Sequence, residues 1–414
     1  MHILFVIDTW GLIGGTERHA AVSVPALQAR GHRVTILCRE DQEPGICEVE
    51  TVVQPAMVFG PSLERAERAA LKEQLAELQP DVIFHSACHN QEAAALLLDF
   101  APVVRYVHDH VLFCPGLNKL LDHGQVCTKP MGLTNCMKRY WFQEGCAHFQ
   151  KACHENHIVE PMLAYLAKRK EVKQAKRSRV VLTNSDHMRR ELLAVGFGEE
   201  QTRTLYIFTQ SNTAAQPRGP LGEETEAFLA KSQAPLIFVP ARLVMEKGVS
   251  EFLKAMQLCQ NDCRAVIAGT GNALEQFKHD AWVAGIHERV HFAGWSSSLQ
   301  IEELYERAEV VVHPSVWDEP FGLVGIEAMA HAKPLLAFRV GGVPEWLEDG
   351  ENGFLSARGD FQAMGAQLDR LLGDAELRQR LGQNGKRLLG ERFGMQAHID
   401  GLEAALQTAL GAPA

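Results

Sequence analysis

The sequence predicts an α/β protein built from two doubly wound domains, and three observations carry that prediction. Short apolar runs recur along the chain, each followed by a helical pattern. The rhythm stops in a polar stretch near the middle and then restarts, as expected for a fold present twice. The length, 414 residues, also suits two domains of ordinary size better than one.

The first domain opens with "HILFVID" (2–8), a continuous apolar run suited to a buried strand. A glycine loop, "GLIGGTE", follows, then the helix pattern "RHAAVSVPALQARG" and a second strand, "HRVTILC". A strand, a crossover helix and a strand make a parallel pair. Further strands are read at "DVIFHSA" after Pro80, "PVVRYVHD" from Pro102 and "RVVLTNS" from Arg179, with helices between them. The stretch 208–225, "FTQSNTAAQPRGPLGEET", is rich in Gly, Pro, Ser and Thr and marks the linker. The second domain repeats the pattern with "PLIFVPARL", "RAVIAGTG", "RVHFAGW", "EVVVHPS" and "PLLAFRVGG". The division expected is 1–210, 211–395 and a last helix over 396–414 packing across the junction. The two domains are expected to face one another across a cleft, since open α/β sheets bind ligands at their strands' carboxyl ends.

The net charge of −10 argues against a general nucleic-acid binder. No apolar run approaches the length that spans a bilayer. The start, "MHILFVIDTW", lacks a basic region and a cleavage site, so it reads as a strand and the protein as cytoplasmic. Of ten cysteines, Cys38, Cys88, Cys259 and Cys263 stand in apolar contexts and read as small buried hydrophobes.

Four loops at strand ends carry the candidate chemistry. In "GLIGGTE", Gly14 and Gly15 precede a helix, which is either a plain tight turn or a phosphate-binding approach. The pattern fails GxGxxG, which disfavours a dinucleotide cofactor. In "PARLVMEKG", Arg242 and Lys247 are either two solvated cations or a clamp for a diphosphate. His108, in "YVHDHVLFCP", is either satisfied by a carbonyl or presented to a sugar hydroxyl. The fourth stretch, "DEPFGLVGIEAMAHAKP", sets Glu319 before Pro320 and Glu327 inside the helix that follows. Proline suits a first helical turn, which puts Glu319 at the helix mouth and Glu327 about two turns in. The amides of Phe321, Gly322 and Leu323 can hold an anion there. Two carboxylates beside an anion serve better as acceptors for hydroxyls, so the pair brackets a nucleotide sugar.

"PARLVMEKG", "AGTGNALEQFK", "VHFAGW", "HPSVWDEPFGLVGIEAMAHAKPLLAFRVGGVPEWLEDGENGFL" and "GGTERHAA" resemble the retaining, nucleotide-sugar-dependent glycosyltransferases of the GT-B fold, group 1 or family 4 type. The resemblance implies two Rossmann-like domains, a UDP- or GDP-sugar donor, and a glycan, lipid-linked or small-molecule acceptor. It implies that Glu327 contacts the ribose, Glu319 lies by the donor sugar, and Arg242 and Lys247 hold the diphosphate. Gly15 approaches that diphosphate from the other domain, and His108 faces the donor sugar. No metal or other cofactor is expected, because two cations and helix amides supply the positive field. The chain departs from the family pattern where His331 and Ala332 replace the small residue and glycine usual there. An epimerase or hydrolase acting on nucleotide sugars is the alternative on the same fold.

Two segments stand outside the resemblance. Cys114, Cys127, Cys136, Cys146 and Cys153 fall within an insert over about 110–157, together with His123, His148, His154 and His157. Their gaps fit a structural zinc site badly, so they read as scattered or transiently oxidised thiols in an insert that shapes acceptor choice. The run "KRKEVKQAKRSR" (168–179) reads as a solvated helix face or as a peripheral contact with an anionic membrane.

Overall fold

The computed structural model describes residues 1–11, 15–43, 45–58, 60–121, 125–142, 146, 159–211 and 218–411, the side chains of 140–142, 159 and 160 aside. The chain divides into two compact units. One comprises Met1–Ile207 with Met395–Ala414, the other Phe208–Gly394.

The first unit holds strands β1 (His2–Trp10), β2 (Arg33–Asp41), β3 (Glu50–Val53), β4 (Val82–His85), β5 (Val103–Val107), β6 (Val180–Thr183) and β7 (Thr202–Thr204). Its helices are α1 (Gly15–Ala29), α2 (Arg65–Leu78), α3 (Gln91–Phe100), α4 (Leu133–Phe142), α5 (Val159–Ala175) and α6 (Asp186–Ala194). The strand order is β3-β2-β1-β4-β5-β6-β7, and every pair is parallel. Ile3, Phe5 and Ile7 alternate toward one core and Leu4 and Val6 toward another, so β1 is buried on both faces.

The second unit holds β8 (Leu236–Pro240), β9 (Arg264–Ala268), β10 (Val290–Gly294), β11 (Val310–His313), β12 (Leu335–Phe338) and β13 (Gly353–Ser356). Its helices are α7 (Glu223–Ala230), α8 (Val249–Leu258), α9 (Leu274–Val283), α10 (Ser298–Arg307), α11 (Leu323–Ala330), α12 (Phe361–Gly373) and α13 (Ala375–Arg392). This sheet is also wholly parallel, in the order β10-β9-β8-β11-β12-β13.

The chain then returns to the first unit. Helix α14 (Met395–Ala409), expected from the sequence at the junction, sets Ile399, Leu402, Ala405 and Leu406 into the core beside β1 and β5. Arg30 and His32 tie it down through Glu403, at 2.6 and 2.8 Å. The basic run is partly engaged within the same unit. Lys168 pairs with Glu171 at 2.6 Å, Lys176 donates to the Val195 carbonyl at 2.8 Å, and Arg177 pairs with Asp99 at 2.6 Å. Among the described residues, no helix is long and apolar enough to cross a membrane.

Candidate active site

In the second sheet the strand order reverses between β8 and β11, and ligands of open α/β sheets bind outside such a reversal. The loop leaving β8 carries exposed Arg242, then a single tight turn over Met245–Lys247. Backbone contacts that exclude any side chain hold this loop. A Cβ at Gly248, where φ is +65°, would stand 1.9 Å from the Pro314 carbonyl oxygen. Cβ atoms at Gly269 and Gly271 would stand 2.0 Å from the Ala241 oxygen and 2.1 Å from the Leu243 oxygen. Glycine is the residue that permits approaches this close.

The loop leaving β11 is drawn to the same place, because the amides of Val316 and Trp317 donate to the Glu246 carbonyl at 3.1 and 3.2 Å. Lys247 Nζ then lies 2.6 Å from Glu319 Oε1 and 5.1 Å over the Trp317 ring. His313, the last residue of β11, brings its buried Nε2 to 3.4 Å from the same carboxylate oxygen, outside hydrogen-bond geometry. Glu319 is only 4% exposed. Burial alone would raise its carboxyl, but Lys247 and His313 outweigh burial and hold it far below the ordinary carboxylate range. The second unit therefore keeps a buried, ionised carboxylate and its lysine partner in the loops at the β8/β11 reversal.

The helix after Glu319 begins later than the sequence suggests. Pro320 precedes it, Gly322 is its N-cap, and Leu323 is its first residue. Gly322 has φ +95° and ψ 82°, which no helical residue adopts, so α11 cannot start sooner. Glu327 is accordingly only just beyond one turn in. Phe321 is held back as well. Its ring is buried against Phe393, with centroids 5.6 Å apart, and its carbonyl accepts from Trp346 Nε1 at 2.7 Å. Trp346 packs so closely that a Cβ at Gly325 would stand 2.4 Å from its ring.

Glu327 is half-buried, and its Oε2 accepts a hydrogen bond from the Tyr305 hydroxyl at 2.8 Å. Tyr305 in turn stacks on His331, with centroids 5.2 Å apart and planes 13° apart. His331 reaches Glu302 at 2.9 Å and Glu306 at 3.3 Å, and Ser211 donates to Glu302 at 2.5 Å. The family departure at 331 thus has a built setting. Ala332 beside it adopts φ +53°, the conformation for which the glycine usual there is suited.

In the first unit the order reverses between β1 and β4, and a cavity of about 180 Å³ lies near the strand ends, lined by Asp8, His85, Ser86, Arg105, His108 and Glu171 among others. His108 Nε2 is 3.1 Å from Ser86 Oγ, and its carbonyl accepts from Asn184 Nδ2 at 2.9 Å. Burial, with a smaller contribution from His398, lowers His108 to about 4, so its ring is neutral at pH 7. Burial likewise lowers His398 to about 4. A carbonyl only accepts, so His398 Nδ1, 2.5 Å from the Tyr206 oxygen, carries that ring's proton. The 2.6 Å contact between His398 Nε2 and His19 Nε2 then requires His19 to donate.

Lys247 and Glu319 are thus in direct contact, with Arg242 in the same loop as Lys247. Glu327 is held on the next helix by Tyr305. His108 and Gly15 lie in the other unit, Gly15 as the exposed first residue of α1, and Gly14 lies outside the described residues. Sequence reasoning missed His313, Tyr305, Ser86 and His398. For His313 a signal existed, a histidine ending an apolar strand just before "PS". For Tyr305 and His398 none did, because their partners are distant in the chain.

Residues 222–388 match the family model of glycosyl transferases group 1, and residues 13–208 match that of glycosyltransferase family 4. The alpha-D-kanosaminyltransferase of Streptomyces kanamyceticus is 28% identical over 254 residues, 60% of this chain and 65% of that protein. The capsular polysaccharide biosynthesis glycosyltransferase CapM of Staphylococcus aureus is 34% identical over 240 residues, 56% of this chain and 62% of that one. Each match therefore spans less than two thirds of the relative's own length. The crystal structure of Anabaena HepE in complex with UDP and glucose superposes with a TM-score of 0.70, covering 98% of this chain and 99% of that chain at 19% identity. That likeness speaks for the fold alone. The two family matches between them take in both sheets, and the chain belongs to the group 1, family 4 glycosyltransferases of the GT-B fold.

Proposed function

We propose that the protein is a retaining glycosyltransferase that moves a sugar from a UDP- or GDP-sugar to a glycan, lipid-linked or small-molecule acceptor. The observation that carries this reading is the buried Lys247–Glu319 pair at the β8/β11 reversal, with Arg242 exposed in the same loop. An anionic diphosphate finds Arg242, Lys247 and the amides following Gly322 there, and a sugar finds the Glu319 carboxylate as hydroxyl acceptor. Glu327 accepts from ribose hydroxyls, and neutral His108 serves a hydroxyl of the donor sugar. The complex of HepE with UDP and glucose supports a nucleotide sugar as donor.

Negative charge grows on the leaving diphosphate in the transition state. Cations stabilise that state more than the ground state, which makes Arg242 and Lys247 catalytic and not only binding groups. In this proposal no metal ion takes part at the diphosphate. The enzyme is cytoplasmic, and a lipid-linked acceptor would bring it to a membrane surface through the exposed cations Arg169, Lys170 and Lys173.

The test is release of nucleoside diphosphate from a panel of UDP- and GDP-sugars, with and without candidate acceptors. The expected result is acceptor-dependent release, the same rate with or without added Mg²⁺ or Mn²⁺, and a product whose anomeric configuration by NMR matches the donor. Release without an acceptor would identify a hydrolase or epimerase instead.

A further inference from the structure

The insert after β5 gathers thiols that the sequence separates. Cys114, Cys127, Cys136 and Cys146 all line one cavity of about 50 Å³ in the first unit. Residues 119–121 pair with 125–127, with Leu121 N donating to the Gln125 carbonyl and Cys127 N to the Lys119 carbonyl, both at 2.7 Å. This brings Cys127 to the loop of Cys114. Helix α4 supplies Cys136, and a bridge between Leu121 and Cys146 supplies the fourth.

Two local features are built around the sulfurs. Leu117 and Lys119 adopt φ +68° and +56°, a conformation non-glycine residues rarely take, and between them the chain curls about Cys114. The Lys119 amide donates to Cys114 Sγ at 3.3 Å as a result. A Cβ at Gly116 would stand 2.1 Å from Cys146 Sγ and 3.8 Å from Cys114 Sγ. Those two sulfurs are therefore no farther apart than the sum of these distances, and glycine is what admits them. Arg139 and Lys119, the latter paired with Glu191 at 2.6 Å, line the same cavity and place positive charge beside it.

We infer that Cys114, Cys127, Cys136 and Cys146 form a structural binding site for one zinc ion. Four convergent sulfurs with no open ligand position are the mark of a structural zinc. The cavity admits a single ion. Among the described residues, no three potential ligands stand close enough to grip an ion as they are. Neutral thiols have no reason to close further. Zinc supplies that reason: each thiol yields its proton to solvent as a Zn–S bond of about 2.3 Å forms, which draws the sulfurs to about 3.8 Å apart. Four thiolates around Zn²⁺ carry a net charge of −2, which Arg139 and Lys119 oppose. The long gaps that argue against zinc along the chain lose their force once the fold has closed them. The site is separate from the donor loops, so its failure and that of the proposed transfer reaction are distinguishable.

The full chain, purified without chelator under anaerobic conditions, is expected to retain about one equivalent of zinc through dialysis. Four fewer thiols should react with a thiol reagent in the zinc form than after zinc removal. Cobalt replacing zinc should give sulfur-to-cobalt charge-transfer bands in the near ultraviolet that saturate at one equivalent. These readouts use the unmutated chain, so they stand even where a variant fails to fold. Cys114→Ser and Cys136→Ser should each lose the metal, whereas Cys153→Ser, outside the described residues, should keep it. Absence of retained zinc together with absence of the cobalt bands would overturn the inference. So would zinc kept by the Cys114→Ser, Cys136→Ser double variant, or zinc lost in Cys153→Ser and kept in Cys146→Ser.

Discussion

The two units bury ionisable groups in opposite ways. In the second unit Glu319 is almost wholly buried, yet it stays charged because Lys247 lies 2.6 Å away. In the first unit His108 and His398 are buried beside another imidazole and a tyrosine, and burial holds both neutral. Equal burial therefore decides nothing by itself; the partner decides. The comparison assigns different chemistry to the two places. The charged site suits an anion and the cation that meets it, and the neutral one suits hydrogen bonding to hydroxyls.

Lys247→Ala breaks the comparison most directly. It leaves Glu319 buried without its cation, which costs about 3–5 kcal/mol when one partner of a buried pair is removed. Turnover should fall about 100-fold or more besides. Denaturant unfolding and steady-state kinetics check both, and a Lys247→Ala, Glu319→Gln double variant should recover much of the stability and none of the activity. Full stability in the single variant would show that the pair contributes nothing.

Acid should act next most strongly, and through the first unit. His108 and His398 have folded values of about 4, below the ordinary 6.5, so the unfolded chain binds more protons between those limits. Their contribution to stability is present above pH 6.5 and is lost as pH falls toward 4, on the order of 3 kcal/mol for each. Urea midpoints measured across that window should fall, and His108→Gln should flatten the curve. Glu319 titrates with the same sign at lower pH: its stabilisation is present above the ordinary carboxylate range and is lost progressively as pH falls through that range and below it.

Arg242→Ala sharpens the contrast between binding and structure. Arg242 is exposed, so the variant should fold normally and lose about 100-fold in kcat. Wild-type turnover would remove it from the site. The smallest effect is expected at Glu327. Glu327→Ala should weaken nucleoside diphosphate binding by about 1–3 kcal/mol in calorimetry, and Tyr305→Phe, which removes one hydrogen bond to the carboxylate but keeps the carboxylate, by less.

By itself the sequence determined what depends on near neighbours and on period. Strands β1, β2, β4, β5, β6 and β8 to β12 were legible because buried parallel strands read as continuous apolar runs, whereas the short edge strands β3, β7 and β13 were not read. The loops bearing Arg242, Lys247, Glu319 and Glu327 were legible because they follow strands that were. Only the tertiary structure decided which groups meet. It placed Lys247 on Glu319 across 72 residues and Tyr305 on Glu327 across 22, and it moved the start of α11 to Leu323 through a positive φ at Gly322. It also returned α14 to the first unit, where His398 meets His19 across 379 residues. The cysteines make the same point, since gaps along the chain say little about thiols that folding brings around one cavity. A side chain's charge and partners are set by neighbours that come from anywhere in the chain, and composition and spacing do not carry that information.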